Sequence, residues 1–186
     1  MKKITFPIDK RHWQPSLIPG PVVLISTYDK EGHPNIAPKS WVQMVSFEPP
    51  ILMFSGTKEN TTEINIRQTG CFGVNVVDDS LAEKVFSSVQ WYGQERIERT
   101  GFSVSKASTI EAPLVDDCKA HLECRLHSTH EIGSGYIVFG EIVAASVWDK
   151  VIQAKREEKY RLLNQILFLE DKLYSTVEKV IEVNTD

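Results

Sequence analysis

Pro21-Val-Val-Leu-Ile-Ser-Thr-Tyr28, Asp29-Lys-Glu-Gly32 and Asn35-Ile-Ala-Pro-Lys-Ser-Trp41 are the segments whose reading decides the fold. Val22 to Thr27 is a short apolar run rich in β-branched side chains. Pro19-Gly20-Pro21 closes it in front and Asp29-Lys-Glu-Gly32 behind, which predicts a core strand followed by a hairpin turn. The next strand runs from His33 to about Phe47. Pro34 and Pro38 remove ladder donors from it, so part of it lies at an edge or a bulge, where a ligand can meet free backbone groups.

Working outward, Ile51 to Ser55 and Phe72 to Val77 read as further strands beyond the Pro49-Pro50 break, with a helix from about Thr61 to Gln68 between them. Asn60 and Glu63 have capping-box spacing at the start of that helix, and Ser80 and Glu83 repeat it ahead of a second helix at roughly Leu81 to Ser88. Gln90 to Pro113 shows no sustained period and predicts a long surface loop. Cys118 to His130 and Tyr136 to Trp148 predict a long antiparallel hairpin turning at Gly133-Ser-Gly135. From Lys150 onward, charges interleave with Tyr160, Leu162, Leu163, Ile166, Leu167 and Leu169, the pattern of an amphipathic helix docked on the sheet or on another subunit. Many strands with short inserted helices predict a mainly β protein, a barrel with helical additions, in preference to a doubly wound α/β sheet.

The length of 186 residues fits one domain. The composition, 41% apolar and 25% charged, is that of an ordinary globular protein. With 21 basic and 25 acidic residues the formal charge is −4, which gives no electrostatic footprint for nucleic acid. No apolar run is long enough to span a bilayer and the amino terminus lacks a signal-peptide core, so a cytoplasmic protein with no membrane partner is expected. Cys71, Cys118 and Cys124 are expected to be reduced and packed.

Cys118, His121, Cys124, His127 and His130 recur every third residue and imitate a metal-ligand series. On a continuous strand, however, Cys118, Cys124 and His130 face one way and His121 and His127 the other, so no metal site is assigned. No hydrolytic elbow, Rossmann fingerprint or phosphate-binding P-loop is present. The segment from Lys58 to Asn65 is the better candidate: a helix amino terminus offers free N–H donors, Thr61 and Thr62 add hydroxyls, and Lys58 adds a cation, a set suited to a phosphate. Simple helix capping by Asn60 is the competing reading. Asn35 to Trp41 would take a flat heteroaromatic ring, with Lys39 and Ser40 as polar groups and Trp41 as an apolar face. The competing reading there is an edge strand protected by Pro and Lys. Trp91, Tyr92 and Glu95 are candidates for a lid or for packing of the loop. Trp13, Trp41 and Trp148 are read as core or interface residues, Trp41 being the one nearest a ligand.

These segments together resemble the flavin reductase-like family of FMN-binding split barrels, flavoredoxins included. The resemblance is carried by Pro21 to Thr27, the Asp29 to Gly32 turn, Asn35-Ile-Ala-Pro38 with Ser40, Pro49-Pro50, Thr62 with Asn65-Ile66, Gly70, and Phe72 with Val74-Asn75-Val76. It continues more loosely through Ser87-Ser88, Tyr92, Glu95, Gly101-Phe102, Pro113-Leu-Val115, Leu122-Glu-Cys124 and Gly140-Glu141. It implies a six-stranded Greek-key split barrel over about residues 15–148, with a helical extension over 149–186 of a single domain. It also implies a homodimer with FMN near the interface. Asn35, Ala37, Pro38 and Ser40 with their neighbours Lys39 and Trp41 would line the isoalloxazine; Thr62 and Asn65 would sit on the phosphate side, where the chemistry of the helix start adds Thr57, Lys58 and Thr61. Thr61 stands where the family often has an acidic residue, and Leu169-Glu-Asp-Lys-Leu-Tyr174 follows only loosely the family's Gly-rich, Tyr-ending segment. The function implied is an NAD(P)H-dependent FMN oxidoreductase that passes hydride to flavin N5 and electrons onward. The flavin carries the redox chemistry, so no catalytic acid or base is assigned. A cation such as Lys39 or Lys58 would favour reduced flavin. A non-enzymatic FMN carrier serving a redox protein partner, and a cofactor-free binding barrel, are the alternatives.

Overall fold

The computed structural model describes residues 1–6 and 17–183; Trp13 lies outside them. In chain order the strands and helices are β1 (Gly20–Pro21), β2 (Val23–Tyr28), β3 (Pro34–Lys39), β4 (Val42–Phe47), β5 (Pro50–Gly56), α1 (Thr61–Thr69), β6 (Cys71–Val76), α2 (Ala82–Ser88), α3 (Gly93–Thr100), β7 (Val104–Lys106), β8 (Pro113–Val115), β9 (Ala120–Ile132), β10 (Gly135–Val147), α4 (Asp149–Gln153), α5 (Arg156–Leu163), β11 (Leu167–Glu170) and β12 (Leu173–Ser175).

The main sheet runs β3-β2-β6-β9-β10-β5-β4, antiparallel at every step. Its two outermost strands, β3 and β4, are consecutive in the chain and separated only by Ser40 and Trp41. The segment predicted as one strand from His33 to Phe47 is therefore one path that changes partners: its first half pairs with β2 and its second with β5. The backbone bond from Ser55 N–H to the Trp41 carbonyl, 3.1 Å, closes the break. Six strand paths make a barrel, and β6 returns beside β2 after the β2-β3/β4-β5 meander, the Greek-key order. The split barrel expected from the resemblance is thus present. The turn after β2 is also as read. Gly32 takes φ 85°, and the Asp29 carboxylate accepts the N–H groups of Glu31 and His33 at 2.9 and 2.8 Å, an Asx-type turn.

β2 is apolar without alternation because both of its faces are covered. Val23 and Ile25 join Leu52, Phe54, Ile66, Phe72, Val74, Cys124, Tyr136 and Val138, a cluster drawn from five of the strand paths and hence the barrel interior. Phe54 and Phe72 meet edge to face in its centre, 5.4 Å between ring centroids, a favoured aromatic geometry. Leu24, with Val22, faces an outer cluster of Ile36, Val77, Leu81, Val85, Phe102, Val115, Cys118 and Ile166. Burial pushes the thiols of Cys118 and Cys124 up to about 12, so both behave as apolar packing.

Five expectations are corrected. Gln90 to Pro113 is not a bare loop: it contains α3 and the short β7, which pairs with β8. The helix predicted from Lys150 is broken into α4 and α5, and Leu167 and Leu169 belong to β11, which pairs with β12 and β1. Ala154 is extended and Asn164 left-handed, and these two residues end the helices. The capping boxes do not form: Asn60 makes no side-chain cap bond, and Ser80 lies inside a 3₁₀ turn at Asp79–Leu81, where its N–H and hydroxyl both donate to the Asp78 carboxylate that caps the turn. Finally, Cys118 precedes β9 and a bulge falls at His127, which breaks the strict alternation proposed for the Cys/His series. Cys124 is buried and His130 exposed. Trp41 and Trp148 are both about half exposed and do not belong to the core.

Candidate functional site

A groove of about 240 Å³ runs along β3. Its floor is Asn35, Ala37, Pro38 and Lys39; one wall is Glu59 to Thr62 at the start of α1; the other is Val89, Tyr92 and Arg96, from the end of α2 through α3. Each element arrives for a local reason. Among the described residues β3 has a ladder on one side only, to β2, in keeping with its prolines, and an edge of that kind has to be covered. α3 covers it, with the Arg96 guanidinium donating Nη1–H to the Ile36 carbonyl. Thr62 is fixed from below. Asn35 donates Nδ2–H to Thr62 Oγ1 at 3.1 Å and to Thr27 Oγ1 at 3.3 Å, while Asn65 donates to Thr27 Oγ1 at 3.1 Å. These buried hydrogen bonds lock α1 against β2 and β3.

A second compartment of about 200 Å³ shares Pro38, Lys39 and Val89 with the groove. Val22, Ser40, Val85, Phe168 and Tyr174 complete its walls. The β11–β12 hairpin supplies the aromatic side, Phe168 and Tyr174 lying 5.6 Å apart, and burial raises the Tyr174 hydroxyl above its ordinary pKa. A larger cavity of about 590 Å³ between α5 and residues 177–183 contains none of the sequence candidates.

Of the sequence-read residues, Asn35, Ala37, Pro38, Lys39, Thr61 and Thr62 line the groove, and Ser40 the second compartment. Asn65 lies beneath, as the partner of Thr27. Trp41 lines neither compartment and is 55% exposed. Thr57 is exposed ahead of α1, its carbonyl accepting Asn60 N–H at 3.2 Å. Lys58 turns away to pair with Glu131 on β9, whose hydrogen bond and charge raise the ammonium above its ordinary pKa. Lys39 is also paired: its Nζ lies 2.5 Å from Glu63 Oε1. Both cations singled out in the sequence are therefore neutralised.

The remaining cation of the groove is Arg96, which sequence reading missed. It is 6% exposed, donates Nε–H to the Ser88 carbonyl at 2.8 Å, and lies with its guanidinium 5.6 Å from the Tyr92 ring centre. Among the described residues no acidic side chain pairs with it, and burial lowers its pKa, the Tyr92 hydroxyl acting weakly the other way. A desolvated guanidinium without a counter-ion is costly, and an anion in the groove relieves that cost. Opposite it, α1 presents N–H groups with no side-chain cap, so the donor set fits a phosphate or carboxylate. Gly101, in the left-handed region just past α3, and the Glu95–Arg99 pair at i,i+4 were the signals available for this helix. Trp91 stacks on Arg99, outside the groove.

The flavin reductase like domain matches residues 16–165. The reductase subunit HsaB of a flavin-dependent monooxygenase from Rhodococcus jostii is 29% identical over 125 residues, 67% of this chain and 62% of that one. A Shewanella frigidimarina protein with a split barrel domain superposes with a TM-score of 0.84 at 21% identity, over 99% of this chain and all of that one. The flavoredoxin of Methanosarcina acetivorans does so with a TM-score of 0.79 at 25% identity, over 98% and 95%. The barrel and the match across residues 16–165 lead to one conclusion: the chain belongs to the flavin reductase-like domain family.

Proposed function

We propose that this protein binds FMN in the paired compartments along β3 and acts as an NAD(P)H-dependent oxidoreductase. The observation that carries the reading is Arg96, a buried guanidinium with no carboxylate partner among the described residues, facing the uncapped start of α1 and adjoining an apolar, aromatic-sided compartment. Arg96, the N–H groups at the start of α1 and the Thr61 hydroxyl would hold the phosphate. Phe168, Tyr174, Val22, Val85 and Val89 would enclose the ring against the Pro38–Ser40 backbone, whose polar groups meet its heteroatom edge. Bound FMN would supply hydride acceptance from NAD(P)H and electron delivery to an acceptor. The chain's own work is then to fix the ring, exclude water from one face of it and supply positive charge, and it requires no acid or base.

The homodimer belongs to the same proposal. β4 carries Met44, Val45 and an 87% exposed Phe47 beside half-exposed Trp41, an apolar strip next to Ser40 that a second copy would cover. In sedimentation, Phe47→Asp is expected to shift the protein toward monomer.

The deciding experiment is an absorbance spectrum of purified protein given FMN, read before and after NADH or NADPH without oxygen. Flavin bands that bleach are the expected result. Bands that persist with either nucleotide, yet bleach with a reduced redox protein, would make the chain an electron carrier. Failure to bind FMN would remove the cofactor assignment.

A further inference from the structure

Lys39 stands where the two compartments meet and is 10% exposed. Three elements converge on its ammonium. β3 carries it, α1 supplies Glu63 at 2.5 Å, and β5 supplies both Phe54, whose ring centre is 5.4 Å away, and Gly56. Gly56 matters through its missing side chain: a Cβ there would overlap Glu63 Oε1 and lie 2.6 Å from Lys39 Nζ. Glu63 is fully buried, and among the described residues its Oε2 has no hydrogen-bond partner. Folding normally avoids a buried carboxylate with an orphan oxygen, so this one calls for an explanation beyond packing. Its effect is electrostatic. Without Glu63 the paired compartments would carry two uncompensated cations, Lys39 and Arg96; with it they carry one.

We infer that Glu63 is a positioning residue for Lys39 and that the pair sets how strongly the site favours reduced over oxidised flavin. The inference rests on the FMN reading above. Two-electron reduction of FMN with uptake of one proton leaves one more negative charge on the ring system. A free Lys39 ammonium would stabilise that charge, and Glu63 offsets it while holding the ammonium at the junction. Glu63 therefore acts as a brake on the rise in reduction potential that Lys39 alone would give.

The test is the potential of bound FMN, measured against a reference dye, together with the dissociation constant of oxidised FMN. It is carried out on the wild-type protein, Glu63→Gln, Lys39→Met and the double variant. Glu63→Gln, close to isosteric, is expected to favour reduced over oxidised FMN by about tenfold, a rise of about 30 mV for a two-electron couple. Lys39→Met is expected to shift the potential the opposite way, and the double variant to return near wild type. The double variant, uncharged at both positions, keeps the test open if Lys39→Met alone unfolds. A purely structural pair would not give opposite signs that cancel. Wild-type protein that binds FMN, with variants whose potentials stay put or move in the same direction, overturns this inference alone. Wild-type protein that binds no FMN overturns it together with the reading beneath it.

Discussion

Arg96 gives the sharpest expectation at the scale of single residues. A charge-assisted hydrogen bond is worth about 1.5–3 kcal/mol, so Arg96→Ala should weaken FMN about 10- to 100-fold. Riboflavin, which lacks the phosphate, should be affected much less. Titrations of both ligands check this, and a parallel loss would mean that Arg96 only holds α3 to β3. The residue was not legible because α3 reads Gly-Gln-Glu-Arg-Ile-Glu-Arg-Thr, one apolar side chain among charges, and nothing in such a run says that one of its arginines is buried. Lys58 was misread for the opposite reason. Its position beside the helix start was visible, whereas its partner Glu131, 73 residues away, was not. Lys39 belongs to the same class, and Lys39→Met, which strands Glu63, should cost about 3 kcal/mol in a denaturant titration. Glu123 offers a pH test. Burial raises its carboxyl pKa, but bonds from the Ser108 hydroxyl and from the N–H groups of Thr109, Ser108 and Ile110 outweigh that and leave it below the ordinary 4.5. A depressed folded pKa stabilises the protein above the ordinary value, and this contribution disappears as pH falls through the folded one. The melting-temperature gap between wild type and Glu123→Gln should therefore be widest near neutrality and narrow progressively below about pH 4.5.

At the scale of elements, the strands were legible wherever a run was apolar and punctuated by Gly, Pro or Asp, as around β2 and in the β9–β10 hairpin. The prolines also placed the groove floor, because a missing ladder donor is a property of the residue itself. What punctuation could not show is a strand that changes partners without a turn. The break at Ser40 and Trp41 needs the β1 backbone beside it: a Cβ on Gly20 would overlap the Ser40 carbonyl oxygen. Gly20→Ala must push β1 or Ser40 aside. It should cost about 1–3 kcal/mol by urea unfolding. It should weaken FMN as well, since Ser40 lines the ring compartment. Gly133→Ala, at a hairpin tip far along the chain from Ser40, supplies the control for a stability loss without the binding loss.

At the scale of the whole molecule, the amphipathic tail was foreseen as a docking helix, but α5 buries none of its residues and the docking is done by the extended residue just ahead of β11. Ile166, 1% exposed, sits in the outer cluster with Val22, Leu24 and Val77. Its N–H donates to the Val77 carbonyl at 3.1 Å and its carbonyl accepts Val22 N–H at 3.0 Å. Lys119 adds a second tie, to the Asp78 carboxylate at 2.9 Å and the Leu162 carbonyl at 3.0 Å. Burial alone would raise the Asp78 pKa, but Ser80 and Lys119 hold it below its ordinary value. Ile166→Ala should therefore cost about 2–5 kcal/mol, measurable by chemical denaturation. The placement of Ile166 also bears on the birth of the protein. Every strand of the barrel is made before residue 148, yet Val22 and Val77 keep backbone groups unanswered and apolar faces wet until residue 166 leaves the ribosome. A nascent chain stalled short of that point would be an almost finished barrel with an open seam, the species for a chaperone to hold and a protease to find.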